Sequence, residues 1–332
     1  MLNGVRQGAI LSAIAYCFYC QKLFHLLEKN RSGCWMNGFY MGLIGYSDDN
    51  ICLAPSLKAL QDMLKTCEKF ALSHNLKFST DPDPIKCKTK TLAFLRKPRP
   101  LPSLLLCGNP LPWATRCKHL GINIENKING CEQDMKVKNA QFISKNIELN
   151  QEFSFAHPSS KIKINRIYNS HYSGSPVWNL FGQGAMRIES FYNRSAKVMM
   201  DLPYGTHRSL IQPLTGGMHV KLILIKRFLG FIEKIRNCCK TSLKMLMFEA
   251  MMDVRSVTGA NMRNIMLLVG KTKVEDVKPS DVDSLDYFKL EENEMWKVGM
   301  IKELIDFKSG DVEISGFDQE EIASILHHLC TE

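Results

Sequence analysis

The sequence predicts an α+β protein in which strands are concentrated near the beginning of the chain and helices dominate the remainder. Short apolar runs bounded by turn residues occur at 34–54 and 104–124, a pattern typical of strands joined by tight reversals. From about residue 129, apolar residues recur instead at helical spacing beside basic faces. We therefore expect three segments, with boundaries at 1–126, 127–272 and 273–332.

The first predicted element is a helix over residues 8–29. Its apolar character begins at Ala9–Cys20 and continues at helical spacing through Leu23 and Leu27. The weaker alternative is a signal peptide, and the apolar run is too short to span a bilayer. We read the segment as a buried helix, which favours an intracellular protein, nuclear or cytoplasmic, without contact to a membrane.

Hairpins and a second helix follow. Asn37-Gly38 is a strong hairpin-turn signal, and Gly45–Asn50 predicts a second tight reversal. Ser56 then follows a proline as the expected N-cap of a helix, whose apolar stripe runs over Leu57–Ala71.

The later elements are predicted from the same kinds of pattern. Strands are expected at 76–78, 91–95 and 104–107 and around His119-Leu120-Gly121, and the Asp-Pro-Asp-Pro stretch at 81–84 is expected to be a loop. Helices are expected at 131–150, 158–172, 184–201, 219–237, 291–307 and 318–329.

The chain of 332 residues is basic, with a net charge of +10 that is unevenly distributed. Residues 275–332 contain 5 Lys and Arg against 16 Asp and Glu, a balance of −11, so residues 1–274 carry +21. Such a surface attracts polyanions, because neutralised phosphates release counterions. A lysine-rich soluble surface without a nucleic-acid partner is the alternative reading.

Twelve cysteines are scattered singly through apolar segments, as at Cys52, Cys67 and Cys107. This distribution favours buried free thiols in a reducing compartment rather than a disulfide framework. Cys17 and Cys20 have the C-x-x-C spacing of zinc sites, but no second pair accompanies them. The sequence therefore predicts no zinc site.

The most informative motif is Tyr46-Ser47-Asp48-Asp49, which lies between two apolar runs. Adjacent carboxylates repel each other, and hard divalent cations prefer carboxylate oxygen. On its own the pair is also compatible with an ordinary solvated turn. Its position in a hairpin makes Asp48 and Asp49 candidate metal ligands.

The order of the motifs strengthens this assignment. Residues 3–12 read NGVRQGAILS; the Tyr46–Asp49 hairpin, a long helix, Lys88-Thr89-Lys90 and Leu120-Gly121 follow in turn. This order resembles the palm of a reverse transcriptase, specifically that of non-LTR (LINE-type) retrotransposons. Residues 167–180 and 202–208 are similar to the helical region after the polymerase core. The resemblance implies a partial palm, an antiparallel sheet with packed helices, followed by a mainly helical thumb and C-terminal region.

The resemblance also implies a reaction and its partners. Nucleotidyl transfer is an in-line attack of a primer 3′-oxygen on an α-phosphate, assisted by two metal ions about 3.5–4 Å apart. The implied cofactor is Mg²⁺ or Mn²⁺. The implied partners are an RNA template, a DNA primer and deoxynucleoside triphosphates.

The resemblance assigns a role to each motif. Asp48 is the implied metal ligand, Asp49 the second acid, and Tyr46 a residue near the primer–template backbone. Lys88 or Lys90 is a candidate to protonate pyrophosphate, although Lys86, Lys88 and Lys90 also suit a solvated strand face. The remaining implied contacts are with substrate: Arg6 with phosphate, Gln7 and Gly8 with the template base and nucleotide, and Leu120 and Gly121 as the primer grip.

Some family features are missing from the sequence. The family palm needs an aspartate on a strand upstream of the Gln-Gly segment, and a basic fingers region. Ala9, Ala13, Ser47 and Asn50 stand where the family usually has cysteine, proline, alanine and an apolar residue. We therefore expect a truncated or degenerate copy that is inactive alone. The alternative is a non-catalytic, basic nucleic-acid-binding remnant.

Two aromatic residues of the helical region, Trp178 and Tyr192, allow two readings. They could stack on nucleic-acid bases. Packing in the core or between helices is the reading that we favour.

Overall fold

The computed structural model describes residues 11–127, 131–168, 172–285, 295–309 and 318–331. Its internal contacts divide the chain into two compact units, Met1–Ile128 and Asn129–Glu332. The first contains short antiparallel strand pairs and two helices, and the second is helical. The predicted α+β class is therefore confirmed.

Two helices form the centre of the first unit. Helix α1 is Ser12–Lys29 and α2 is Leu57–Ser73. They share an apolar core to which α1 contributes Leu27 and α2 contributes Met63 and Phe70. The predicted N-cap is confirmed, because the Ser56 hydroxyl accepts a hydrogen bond from the Ala59 amide at 3.2 Å. The first residues of the predicted 8–29 helix, 8–10, lie outside the described residues.

The strands of the first unit form four two-stranded antiparallel hairpins. Within the described residues they do not join into the continuous antiparallel sheet that the resemblance implies. Each strand is only two to four residues long, so each hairpin is fixed mainly by its turn and by packing beneath it. The pairs are β1 Trp35–Met36 with β2 Phe39–Tyr40, β3 Leu43–Tyr46 with β4 Asp49–Cys52, β5 Leu104–Leu106 with β6 Asn109–Leu111, and β7 Arg116–His119 with β8 Ile122–Glu125.

Two predicted strands are wrong. Residues 76–78 are irregular, because the Leu76 amide bonds back to the Ala71 carbonyl at 2.9 Å and completes the end of α2. Residues 91–95 form no strand either; Thr91 makes a single bridge to Trp113. Leu76 and Phe78 pack against the core of the first unit, a tertiary role that local propensity does not reveal, whereas Phe94 is 56% exposed.

The second unit consists of helices. The four predictions at 131–150, 158–172, 184–201 and 219–237 are confirmed to within a few residues, except that residues 169–171 lie outside the described ranges. The prediction missed α6, α8 and α9. The helices are α3 Glu132–Glu152, α4 Pro158–Tyr168, α5 Gln183–Met199, α6 Arg208–Thr215, α7 Val220–Asn237, α8 Thr241–Met252, α9 Val257–Val269, α10 Met295–Lys308 and α11 Gln319–Thr331.

Two apolar clusters hold these helices together. One surrounds Phe142, Trp178 and Phe228, and the other includes Ile301 and Leu326. No helix in the described ranges is both long enough and apolar enough to cross a membrane.

The acidic C-terminal residues take part in this packing. Val282 is fully buried in the first cluster. Asp283 lies 2.6 Å from the ammonium of Lys226, and Asp281 lies 3.4 Å from that of Lys271. The acidic segment therefore folds back on the basic helices of its own unit.

Candidate active site

The Tyr46–Asp49 motif forms the tip of a two-residue hairpin. Tyr46 and Asp49 are the last paired residues of β3 and β4, and Ser47-Asp48 forms the reversal. Ser47 has a φ of +54°, a backbone conformation that glycine adopts more readily than an L-residue at the first turn position. The predicted reversal is thus confirmed.

Both carboxylates of the tip are open to solvent. The backbone of Asp49 is held by pairing with Tyr46, whose side chain is 66% exposed. The Asn50 side-chain amide donates a 3.4 Å hydrogen bond to the Asp48 carbonyl, which steadies the turn on its C-terminal side. The geometry therefore presents two neighbouring acids from a fixed backbone.

Helix α1 lies directly beneath the hairpin. A Cβ atom on Gly45 would lie only 2.6 Å from Cζ of Phe24, so glycine allows strand and helix to approach closely. An open, largely apolar cleft of about 360 Å³ separates the two elements next to the tip. Its lining includes Ile14, Phe18 and Ser47.

Tyr16 of α1 is a neighbour of this site that the sequence analysis missed. Burial, followed by interaction with Cys20 and with the Asp48 carboxylate, raises the pKa of Tyr16 to about 12. The phenol is therefore a neutral hydrogen-bond donor at physiological pH. Its position within an apolar helix gave no sign in the sequence that it would lie near Asp48.

The two carboxylates of the tip suit a hard divalent cation. Within the described residues, no three His, Cys, Asp or Glu side chains come together as a metal-binding group. Mg²⁺ commonly keeps several waters and is held by one or two carboxylates together with substrate phosphates. Asp48 and Asp49 therefore fit Mg²⁺ or Mn²⁺ as a substrate-assisted site, and do not form a closed protein cage.

The structure does not bring the candidate lysines into direct contact with the tip. Lys88 and Lys90 are exposed on an irregular segment, and the Lys90 ammonium donates a 2.7 Å hydrogen bond to the Pro84 carbonyl. In the described part of the chain, no hydrogen bond or ion pair joins either lysine to Asp48 or Asp49. Their role stays a prediction.

Leu120 and Gly121 form the turn between β7 and β8. Both have positive φ values, +47° and +80°, as a type I′ reversal requires. The strand expected around His119-Leu120-Gly121 is therefore interrupted by a hairpin turn, and the role of Leu120 and Gly121 as a primer grip stays a prediction. Arg6, Gln7 and Gly8 lie outside the described residues.

Trp178 and Tyr192 belong to the core of the second unit, as the favoured reading predicted. Trp178 is fully buried. Tyr192 is half-buried and stacks on Phe142, with ring centroids 6.1 Å apart. Neither ring is available as an open platform for a base.

Comparison with known proteins finds one similarity, at the beginning of the chain. Residues 1–124 match the family model described as reverse transcriptase (RNA-dependent DNA polymerase). No curated protein matches the chain. The matched segment contains the Asp48-Asp49 tip, Lys88, Lys90 and the Leu120-Gly121 turn. The family generally uses divalent metal ions and acts on a nucleic-acid template and deoxynucleoside triphosphates.

Proposed function

We propose that the chain is part of the RNA-directed DNA polymerase of a non-LTR, LINE-type retrotransposon. Residues 1–126 supply part of the palm, residues 127–272 the thumb and post-polymerase helices, and residues 273–332 the acidic C-terminal segment. One observation carries the proposal: two exposed, adjacent carboxylates occupy a hairpin tip inside the segment that matches the reverse transcriptase family.

In this proposal the hairpin acts as a rigid support for metal ligands. Asp48 and Asp49 hold Mg²⁺ or Mn²⁺, and Asp49 is the acid nearer the primer end. When bound, the ions stabilise charge on the attacking and leaving oxygens of phosphoryl transfer. Pairing of Asp49 with Tyr46 fixes the direction of the tip, and the exposed Tyr46 ring packs near the primer–template backbone.

The remaining residues bind substrate or move a proton. Arg6 contacts phosphate, and Gln7 and Gly8 border the template base and the incoming nucleotide. Leu120 and Gly121 support the primer. Lys88 or Lys90 donates a proton to the pyrophosphate leaving group; Lys90 must first release the Pro84 carbonyl.

We further propose that the chain does not extend a primer alone. Two-metal chemistry needs carboxylates that bridge both ions, and the described residues offer no third ligand beside Asp48 and Asp49. A second candidate function, supported by the net charge of +10, is a non-catalytic nucleic-acid-binding protein in which the paired acids hold no metal.

Metal binding at the tip separates the two candidates. Sub-stoichiometric Mn²⁺ added to ¹⁵N-labelled protein should broaden the amide signals of residues 46–50, and excess Mg²⁺ should reverse the effect. Asp48→Asn should abolish the broadening. Glu28→Gln, which removes an exposed carboxylate of α1, is the matched control and should preserve it. Equal broadening in wild type and Asp48→Asn would exclude the proposed metal site.

Primer extension on an RNA template with Mg²⁺ tests the second part of the proposal. We expect no synthesis by this chain. Synthesis that depends on Asp48 would show that the chain completes its own site, which would retain the polymerase assignment and overturn its inactivity.

A further inference from the structure

Tyr204 is an exposed aromatic residue of the second unit with no place in the proposed polymerase chemistry. It lies in the turn between α5 and α6 and is 75% exposed. Arg194 and Lys197 on α5 lie beside it, and Arg208 at the start of α6 is an electrostatic neighbour of Lys197. Proteins that bind single-stranded nucleic acid combine aromatic rings, on which bases stack, with basic side chains that follow the phosphate backbone.

Two of the cations contact Tyr204 directly. Arg194 Nη2 donates a 3.0 Å hydrogen bond to the Tyr204 hydroxyl, and its Cζ lies 5.5 Å from the ring centroid. Lys197 Nζ donates a 2.8 Å hydrogen bond to the Tyr204 carbonyl and lies 5.8 Å from the ring centroid. Both charges are thus held beside the ring at cation–π distance.

The turn that carries Tyr204 is well anchored. The Leu202 amide bonds to the Lys197 carbonyl at 2.9 Å, and the hydroxyl of the buried Thr206 bonds to the Pro203 carbonyl at 2.6 Å. On the far side, the His207 amide bonds to the carbonyl of Cys330 in α11 at 2.8 Å. The ring is therefore presented by an ordered backbone.

Arg194, Lys197 and Arg208 form no close ion pair with a carboxylate among the residues that the structure describes. Of the acids in this region, Asp201 pairs with Lys308 at 2.7 Å. Glu189 lies 3.4 Å from His219 and interacts with Arg208 only as a minor cause of its lowered pKa. Burial, together with the Arg208 and Arg194 guanidiniums, lowers the pKa of Lys197. This is the behaviour of a cluster of like charges that an external anion would stabilise.

We propose that Tyr204, Arg194, Lys197 and Arg208 form a binding site for single-stranded nucleic acid. A base stacks on the open face of Tyr204, and the cations contact the flanking phosphates. A single strand is favoured over a duplex because only an unstacked base offers its face to the ring. The site lies outside the matched segment; the inference rests on the second candidate function, nucleic-acid binding, and not on the chemistry at Asp48.

Fluorescence anisotropy with a labelled single-stranded oligonucleotide tests the site. The oligonucleotide should be about 20 nucleotides long, to exceed the site sizes of about 4–16 nucleotides that such grooves occupy, and EDTA should exclude the metal site. Tyr204→Leu, which keeps an apolar side chain without a π face, should raise Kd about tenfold. Tyr204→Phe should retain binding. Phe155→Leu, at a ring that is 86% exposed, is the matched control and should leave Kd unchanged.

Salt dependence separates stacking from charge. Arg194→Gln should reduce the slope of log K against log salt concentration by about 0.7, because it removes one phosphate contact with a single strand. Tyr204→Leu should weaken binding with little change in slope. If both variants changed the slope equally, stacking on the ring would be disproved.

Competition identifies the ligand class. An unlabelled single strand should displace the probe at lower concentration than duplex of the same length or polyglutamate. Equal displacement by duplex, or by polyglutamate, would overturn the proposal in favour of a non-stacking contact or an acidic protein partner. Tyr204→Leu should keep the Mn²⁺-dependent broadening of residues 46–50, so failure of the metal site and failure of this site are distinguishable.

Discussion

The Trp178 indole donates a 2.8 Å hydrogen bond to the buried carboxyl of Asp134. Both side chains are fully buried, and the bond ties the start of α3 to the segment before α5. Trp178→Phe should lower the free energy of unfolding by about 2–4 kcal/mol, because it removes a donor to a buried carboxyl and leaves a small void. Chemical denaturation measures this change in the free energy of unfolding. Trp296→Phe, at an exposed tryptophan of α10, should change stability by less than about 0.5 kcal/mol.

Asn261 of α9 holds the backbone that directly follows the same tryptophan. Its side-chain nitrogen donates to the Trp178 carbonyl at 2.7 Å, and its oxygen accepts from the Leu180 amide at 3.0 Å. Asn261→Ala should cost about 2–3 kcal/mol in urea unfolding, since two buried backbone groups lose their partners. Asn264→Ala, at an exposed position of α9, should have little effect; equal losses would argue against this role.

Gly45 sets the approach of the hairpin to α1. Gly45→Ala should destabilise the first unit by about 1–3 kcal/mol, because the new methyl group would meet the Phe24 ring. Phe24→Leu should recover part of that loss in the double variant. A double-mutant cycle in denaturant measures the coupling, and strictly additive losses would contradict direct contact.

Glu189 links stability to pH. The neighbouring His219 imidazole is the main cause that holds the pKa of Glu189 below its ordinary value of 4.5. Because the folded-state pKa is depressed, the stabilisation is complete above pH 4.5 and is lost as pH falls through the lower folded-state value. Urea unfolding between pH 6 and 3 should show less acid-induced loss for Glu189→Gln. Glu152→Gln, an exposed acid of α3, should behave as wild type does.

Local signals predicted the turns and caps correctly. Asn37-Gly38 forms a reversal with both φ values positive, and Ser56 caps α2, because such features depend on only a few adjacent residues. The position of the Asp48-Asp49 tip was predicted for the same reason.

Contacts between distant residues escaped prediction. Tyr16 lies about thirty positions from Asp48 in the chain, and the strands expected at 76–78 and 91–95 are replaced by irregular packing. Residues 202–208 stood out in the sequence only because they are similar to the helical region that follows the polymerase core. The basic residues around Tyr204 became apparent once the ends of α5 and α6 were seen together.

The acidic C-terminal segment cannot act as a removable, purely electrostatic inhibitor of nucleic-acid binding. Its residues Val282, Ile301 and Leu326 are core side chains, so cutting it away would expose apolar surface as well as release lysines such as Lys226. A nucleic acid approaching the intact molecule from a distance therefore responds to the whole charge of +10, not to the +21 of residues 1–274.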